Sequence, residues 1–227
     1  MKSLDAFDWT QVETDLDMQG HAALRGLLTE SECRALAEDR RDANAHADTV
    51  DLESIEQGRG ELRRFRSGLP EELAALRASL YGRLVGTADR WQDGLGEKRR
   101  YPARFGALSP RATNGHPSER SALSRLRAGE HWGLHKDIEG EHPFALQVSA
   151  LLSRPDQDFS GGEFVMTELR PRMQSRPIVV VPKQGDAIIF AADGRPFRGK
   201  SGVFRVSLKH AVSRIRSGER VALELLF

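Results

Sequence analysis

Val203-Phe204-Arg205-Val206-Ser207-Leu208-Lys209-His210-Ala211-Val212 is the stretch on which the reading of the fold turns. Apolar and polar residues alternate along it. Successive side chains on a strand point to opposite faces, so the run reads as a β-strand continuing to about Ile215. Phe204, Val206, Leu208 and His210 then share one face, and Arg205, Ser207 and Lys209 the other. A histidine on the apolar face is either a satisfied core residue or a ligand. Working outward, Ala145 to Leu152, Glu163 to Thr167, Ile178 to Val181, Ala187 to Ala191 and Val221 to Phe227 are short and rich in Val, Ile, Leu and Phe. Turns such as Ser160-Gly-Gly, Lys183-Gln-Gly-Asp and Ser217-Gly-Glu separate them. Short strands at intervals of roughly 8 to 12 residues predict an all-β sandwich or barrel.

Ahead of the strands the pattern is helical. Thr29 and Glu32 have capping-box spacing before a helix over Ser31 to Asp42, with Leu28, Cys33 and Leu36 as its buried stripe. Pro70-Glu71-Glu72 opens a second helix, along which Leu73, Leu76, Leu80 and Leu84 recur at helical spacing. Ala43 to Glu61 reads as a loop or a mobile flap, and Asp93 to Glu119 as a second loop. The expected fold class is mainly β with N-terminal helices (α+β). One domain spans residues 1–227, with 1–120 as helical support and loops and 121–227 as the β core.

The chain has 227 residues, 34 Lys plus Arg against 33 Asp plus Glu, and a net charge of +1. That balance gives no bulk electrostatic case for nucleic acid or an anionic membrane. No run approaches the roughly 18 apolar residues of a membrane-spanning helix. The acidic N-terminus does not resemble a signal peptide, and the one cysteine, Cys33, cannot form an internal disulfide. The expectation is a soluble, cytoplasmic protein.

An H-x-D triplet is expected by chance about 0.5 times in a chain of this composition, so a lone match proves little. Two occur: His46-Ala-Asp48, among further aspartates in the polar stretch, and His135-Lys-Asp137, shortly before a predicted strand. The first reads as solvated loop. The second has His210 as a possible third partner. Two histidines and a carboxylate on barrel strands would leave metal positions open, which suits non-haem Fe(II) but also accepts Mn, Co, Ni or Zn. Ten residues beyond His210, Arg220 is either an exposed strand-start arginine or a carboxylate clamp, since guanidinium offers a bidentate fork. Parity along the last strand places Arg220, Ala222, Glu224 and Leu226 on the interior face. Val221, Leu223, Leu225 and Phe227 then face the helices. Trp132 and His131 are candidates for the substrate mouth. Arg195, Arg198 and Lys200 read as a charged, solvated loop, and Arg63-Arg64-Phe-Arg66 as a weak nucleic-acid patch.

In order, His135-x-Asp137, Ser149-Ala-Leu-Leu-Ser, Ser160-Gly-Gly-Glu-Phe, Val179-Val-Val-Pro-Lys-Gln-Gly-Asp-Ala-Ile-Ile-Phe, Lys209-His210-Ala-Val and Gly218-Glu-Arg220 resemble the prolyl-4-hydroxylase-like branch of the Fe(II)/2-oxoglutarate-dependent dioxygenases. Glu141-His-Pro-Phe-Ala-Leu-Gln-Val and Thr167-Glu-Leu-Arg-Pro-Arg-Met-Gln-Ser-Arg176 resemble a bacterial and plant subgroup of that superfamily. The resemblance covers about Leu123 to Phe227. It implies a double-stranded β-helix (jelly roll), with His135, Asp137 and His210 as iron ligands and Arg220 on the 2-oxoglutarate C5 carboxylate. Two departures stand out: Leu126 where many relatives carry a tyrosine, and Ala222 where some carry a serine. The implied cofactors are Fe(II), 2-oxoglutarate and O2. The implied reaction is hydroxylation, because halogenating relatives need the position of Asp137 vacated for halide. The expected substrate is an amino acid, a peptide or protein side chain, or a small natural product. A nucleic-acid demethylase of the same fold, disfavoured by the charge balance, and a non-catalytic jelly-roll metal- or ligand-binding module are the alternatives.

Overall fold

The computed structural model of this chain describes residues 1–38, 49–65, 68–98, 100–107, 112–113, 116–117, 120–138, 143–200 and 202–227. In chain order its elements are α1 (Trp9–Gln19), β1 (His21–Leu24), α2 (Glu30–Ala37), β2 (Thr49–Asp51), β3 (Gly58–Arg59), β4 (Glu61–Arg64) and α3 (Glu71–Gly94). A small hairpin, β5 (Ala112–Thr113) and β6 (His116–Pro117), precedes β7 (Ala122–Arg127), β8 (His131–His135), β9 (Leu146–Leu151) and β10 (Phe159–Gly161). The chain ends with β11 (Phe164–Leu169), β12 (Arg176–Val180), β13 (Ala187–Ala191), β14 (Gly194–Gly199), β15 (Gly202–Val212) and β16 (Ile215–Leu225).

The major sheet runs β1-β13-β9-β16-β7-β4-β2, with β10 on β16. The minor sheet runs β12-β11-β15-β8-β3, with β14 on β15. Pairing within both is antiparallel. Polar residues buried on β9 and β16 (Gln147, Ser149, Arg220, Glu224) alternate with Val148, Ala150, Val221 and Leu223, so each strand has a functional inner face and an apolar outer one. The outer face packs on α3: Leu73, Leu76, Leu80 and Leu84 share a core cluster with Val221, Leu223 and Leu225. Phe227 closes that layer against Phe144, ring centroids 5.1 Å apart. The parity expected for the last strand therefore holds as far as Leu225, where β16 ends and Leu226 leaves the alternation. The capping box holds as well: the Thr29 side chain accepts from the Glu32 N–H while Glu32 reaches back to the Thr29 N–H.

The N-terminal part departs from expectation. β1 forms one edge of the major sheet, antiparallel to β13, and β2 and β4 extend the other edge beyond β7. The segment 43–61, expected to be a loop or a flap, thus contributes strands to both sheets in its described residues. These strands are two to four residues long and half polar. Their pairing partners supply the stability, so local periodicity carries little signal.

The second departure is Arg195. The expected solvated loop is β14, paired residue for residue with β15. Arg198 and Lys200 are exposed there, but Arg195 is 1% exposed. Its guanidinium donates to Asp17 O and Met18 O at 2.8 Å, at the C-terminal end of α1, and to buried Glu168 at 2.8 Å. It ties the first helix to the minor sheet. Arg195→Met should leave Glu168 with Arg170 as its remaining cation and strand two helix-end carbonyls, lowering stability by about 2–4 kcal/mol. Urea unfolding measures this directly, and a loss below about 1 kcal/mol would contradict the role.

Candidate metal centre

His135 is the last residue of β8, and its cross-strand partner on β15 is His210. The two rings lie in the same inner layer, centroids 4.1 Å apart. Asp137, two residues past His135, brings one carboxylate oxygen 3.7 Å from His135 Nε2 and 3.8 Å from His210 Nε2. One donor atom from each residue lies within 4.8 Å of the others, and no other such cluster occurs among the described residues. Two metal bonds of about 2.1 Å could span the 3.7 and 3.8 Å separations from the carboxylate to each histidine. His46 and Asp48 lie outside the described residues.

The surroundings prepare each donor. His135 Nδ1 sits 2.7 Å from Gly133 O, an acceptor, so Nδ1 carries a proton and Nε2 is the nitrogen left to face the cluster. That Nε2 is buried with no hydrogen-bond partner. Trp132 stacks on the His135 ring at 4.5 Å and 14°, and its indole N–H donates to Gln57. Trp132 is therefore buried behind the histidine and does not line a substrate mouth. Phe190 and Phe164 flank His210. Gln147 donates to the Asp137 backbone carbonyl at 3.1 Å and fixes the turn that carries the carboxylate.

Burial, then the neighbouring His135, push the His210 pKa from 6.5 down to about 3, against the pull of Asp137. His210 is thus neutral, as a metal ligand must be. Burial also opposes the charged form of Asp137, but its polar and cationic neighbours, with the Arg120 guanidinium the permanent charge among them, outweigh it and hold that carboxyl below its ordinary value. Both depressed pKa values mean that the unfolded chain binds more protons than the folded one. Metal-free protein should therefore be steadily less stable as pH falls below 6.5, the ordinary histidine value. Thermal melts in chelator across that range read the slope. A flat profile would contradict a neutral His210.

Arg220 lies on the inner face of β16, opposite Leu126 of β7. It is 1% exposed, and its Nε and Nη1 have no hydrogen-bond partner. Behind it, Gly162 at φ +65° leaves the necessary room: an added Cβ would stand 2.4 Å from Ile215 Cδ1 and 3.0 Å from Arg220 Cδ. That explains the second glycine of Ser160-Gly-Gly. Four residues on, Glu224 faces the same interior and accepts from Ser124 Oγ at 2.8 Å. Of the residues near this centre, sequence reasoning gave no role to Glu224, Ser124, Gln147 or Arg120. The interior parity of β16 was the one signal available, and only for Glu224.

Two facing antiparallel sheets make a jelly roll, the fold that solved 2-oxoglutarate/Fe(II) oxygenases share with this chain. A prolyl-4-hydroxylase from Pseudomonas putida superposes with a TM-score of 0.57 at 16% identity, over 97% of this chain and 98% of that one. An oxidoreductase of the 2OG-Fe(II) oxygenase family from Burkholderia pseudomallei gives 0.55 at 19% identity, over 99% and 93%. An uncharacterised protein of Mycobacterium tuberculosis is 36% identical over 167 residues, 72% of this chain and 70% of its own. The chain belongs to the Oxygenase-NA family, described as "Oxygenase, catalysing oxidative methylation of damaged DNA", whose family model matches residues 60–227. The double-stranded β-helix expected from the sequence is the fold observed. Among the described residues no helix is long and apolar enough to cross a membrane.

Proposed function

We propose that residues 1–227 form one catalytic unit, an oxygenase that binds Fe(II) through His135, Asp137 and His210 and 2-oxoglutarate through Arg220. One observation carries the reading: the same interior holds a buried His135 Nε2 without a hydrogen-bond partner and a buried guanidinium with two unpartnered nitrogens. Buried polar atoms are rarely left unsatisfied. A cation at the first and a carboxylate at the second would satisfy both, so the residues present fit the implied groups.

When bound, iron, 2-oxoglutarate and O2 together supply an oxidant that inserts one oxygen atom into a substrate C–H bond and leave succinate and CO2. The chain's own part is placement. His135 is held in tautomer and ring plane by Gly133 and Trp132, and Asp137 stays ionised beside it. Arg220 orients the far end of the cosubstrate, while Phe164, Phe190, Leu126 and Val212 keep the interior apolar. Because Asp137 supplies a carboxylate, the product should carry label from 18-O2. Chlorination in the presence of chloride would overturn that assignment.

The second reading concerns the substrate. The family description directs it to damaged DNA, and the neutral net charge that disfavours nucleic acid is a bulk measure. Locally, the Arg120 guanidinium stands 3.8 Å from the Asp137 carboxylate, and both side chains are more open than the two histidines. A cation at the accessible side of the centre suits a backbone phosphate of a strand whose damaged base enters the barrel. Methylated single-stranded oligonucleotide should stimulate succinate release, and Arg120→Gln should reduce that stimulation about tenfold. Stimulation by members of an amino-acid and peptide panel, with none by the oligonucleotide, would return the substrate to those classes.

A further inference from the structure

We propose that Glu224 is a built-in counter-ion of Arg220, balancing its charge while the barrel is empty and opposing the carboxylates of 2-oxoglutarate when it is filled, so that Glu224 sets cosubstrate affinity. The inference rests on the reading of Arg220 as the cosubstrate clamp.

A carboxylate on the wall of a dicarboxylate pocket is unexpected on charge grounds alone. Glu224 is 8% exposed and opposes Ser149 of β9 and Ala122 of β7, which places it on the inner face. The Ser124 and Ser149 hydroxyls hydrogen-bond its carboxyl. Arg220 shares that face, four residues earlier, with only the methyl side chain of Ala222 between them. Burial pushes the Glu224 carboxyl up towards its neutral form, and Arg220 and the two serine hydroxyls pull it back towards the anion; Glu224 in turn offsets the burial of the guanidinium. Yet the hydrogen bonds of Glu224 go to the serines, and Nε and Nη1 of Arg220 remain without partners. Glu224 thus compensates Arg220 through space and leaves its fork open for another carboxylate. An isolated buried arginine would be costly to fold, and an arginine bonded directly to its counter-ion would have no fork to offer. Once a dicarboxylate occupies the fork, Glu224 and Asp137 both face added negative charge, and Glu224 weakens binding.

Glu224→Gln removes the charge and keeps an oxygen for the serines. Glu224→Met removes charge and hydrogen bonding at similar volume, and serves also should the first variant fold poorly. Each variant is loaded anaerobically with Fe(II) and titrated with 2-oxoglutarate, following the metal-to-ligand charge-transfer absorption. Thermal melts with and without the cosubstrate accompany the titrations. Both variants should bind 2-oxoglutarate more tightly, on the order of tenfold. Their cosubstrate-free melting temperatures should fall, and the rise on adding 2-oxoglutarate should grow, which a purely structural role would not produce. Unchanged affinity in both would make Glu224 a wall residue and overturn the proposal. Unchanged affinity in Gln with weaker binding in Met would overturn it too, making Glu224 a hydrogen-bonding contact of the cosubstrate. Arg220→Met binding 2-oxoglutarate as tightly as wild type would instead show that the clamp reading had failed.

Discussion

His135→Ala is expected to abolish high-affinity iron binding and, with it, 2-oxoglutarate turnover. The centre has three protein donors, and the substitution removes the one whose lone pair is most clearly prepared, with its ring proton tied to Gly133 O at 2.7 Å. It also takes away the ring on which Trp132 stacks, so the remaining Asp137 and His210 lose a rigid neighbour as well as a donor. Even removing groups that merely orient metal ligands typically costs about 10–100-fold in affinity, so losing a ligand should exceed that. Metal content after anaerobic desalting, and calorimetric titration with Fe(II), measure the effect. His46→Ala, in the other H-x-D triplet, should leave binding intact. The reverse pattern would sink the assignment.

Arg220→Met should weaken 2-oxoglutarate by roughly two to three orders of magnitude, at about 1.4 kcal/mol per decade. Removing one partner of a buried charge pair strands the other without water, and typically costs several kcal/mol. The barrel floor around Arg220 offers the far carboxylate little else. Leu126 stands across from it on β7 and Ala222 beyond it on β16, the positions where many relatives carry a tyrosine and some a serine. Arg220→Lys should fall between, because the ammonium keeps the charge and loses the fork. Iron binding should change little, since Arg220 is not among the clustered donors. The charge-transfer band on titrating 2-oxoglutarate into the anaerobic Fe(II) protein reads all three variants. Wild-type affinity in Arg220→Met would mean that the clamp lies elsewhere.

Both predictions were legible in the sequence because each rests on a local pattern. A strand has a period of two, so the alternation of Val206, Leu208 and His210 fixes their shared face before any partner is known. The same parity orients Arg220 and Glu224 inward. The spacing from His135 to Asp137 puts both on one side of the same segment. The leucines of α3 and the Thr29 capping box are equally local. The mainly β fold class and the metal candidates follow from such patterns; the clamp reading of Arg220 comes from the family resemblance that the order of motifs along the chain carries.

What the tertiary structure alone decided depends on partners distant in the chain. β1, β2 and β4 are too short and too polar to announce themselves, and they exist because β13 and β7 present unpaired edges to them. Arg195 looks like solvent-facing charge in sequence, yet the carbonyls at the end of α1, 177 and 178 residues away, draw it inside. Trp132 is three residues from His135, which regular alternation would place on opposite faces, but a register shift between β8 and β15 lets its ring stack behind the histidine. Glu224 is polar in an apolar strand, and only its juxtaposition with Ser124, 100 residues earlier, and with Arg220 gives its charge a meaning. Alternation tells which side of a strand a residue occupies. Which charge it meets there is set by the register between strands, and register is a property of the folded sheets.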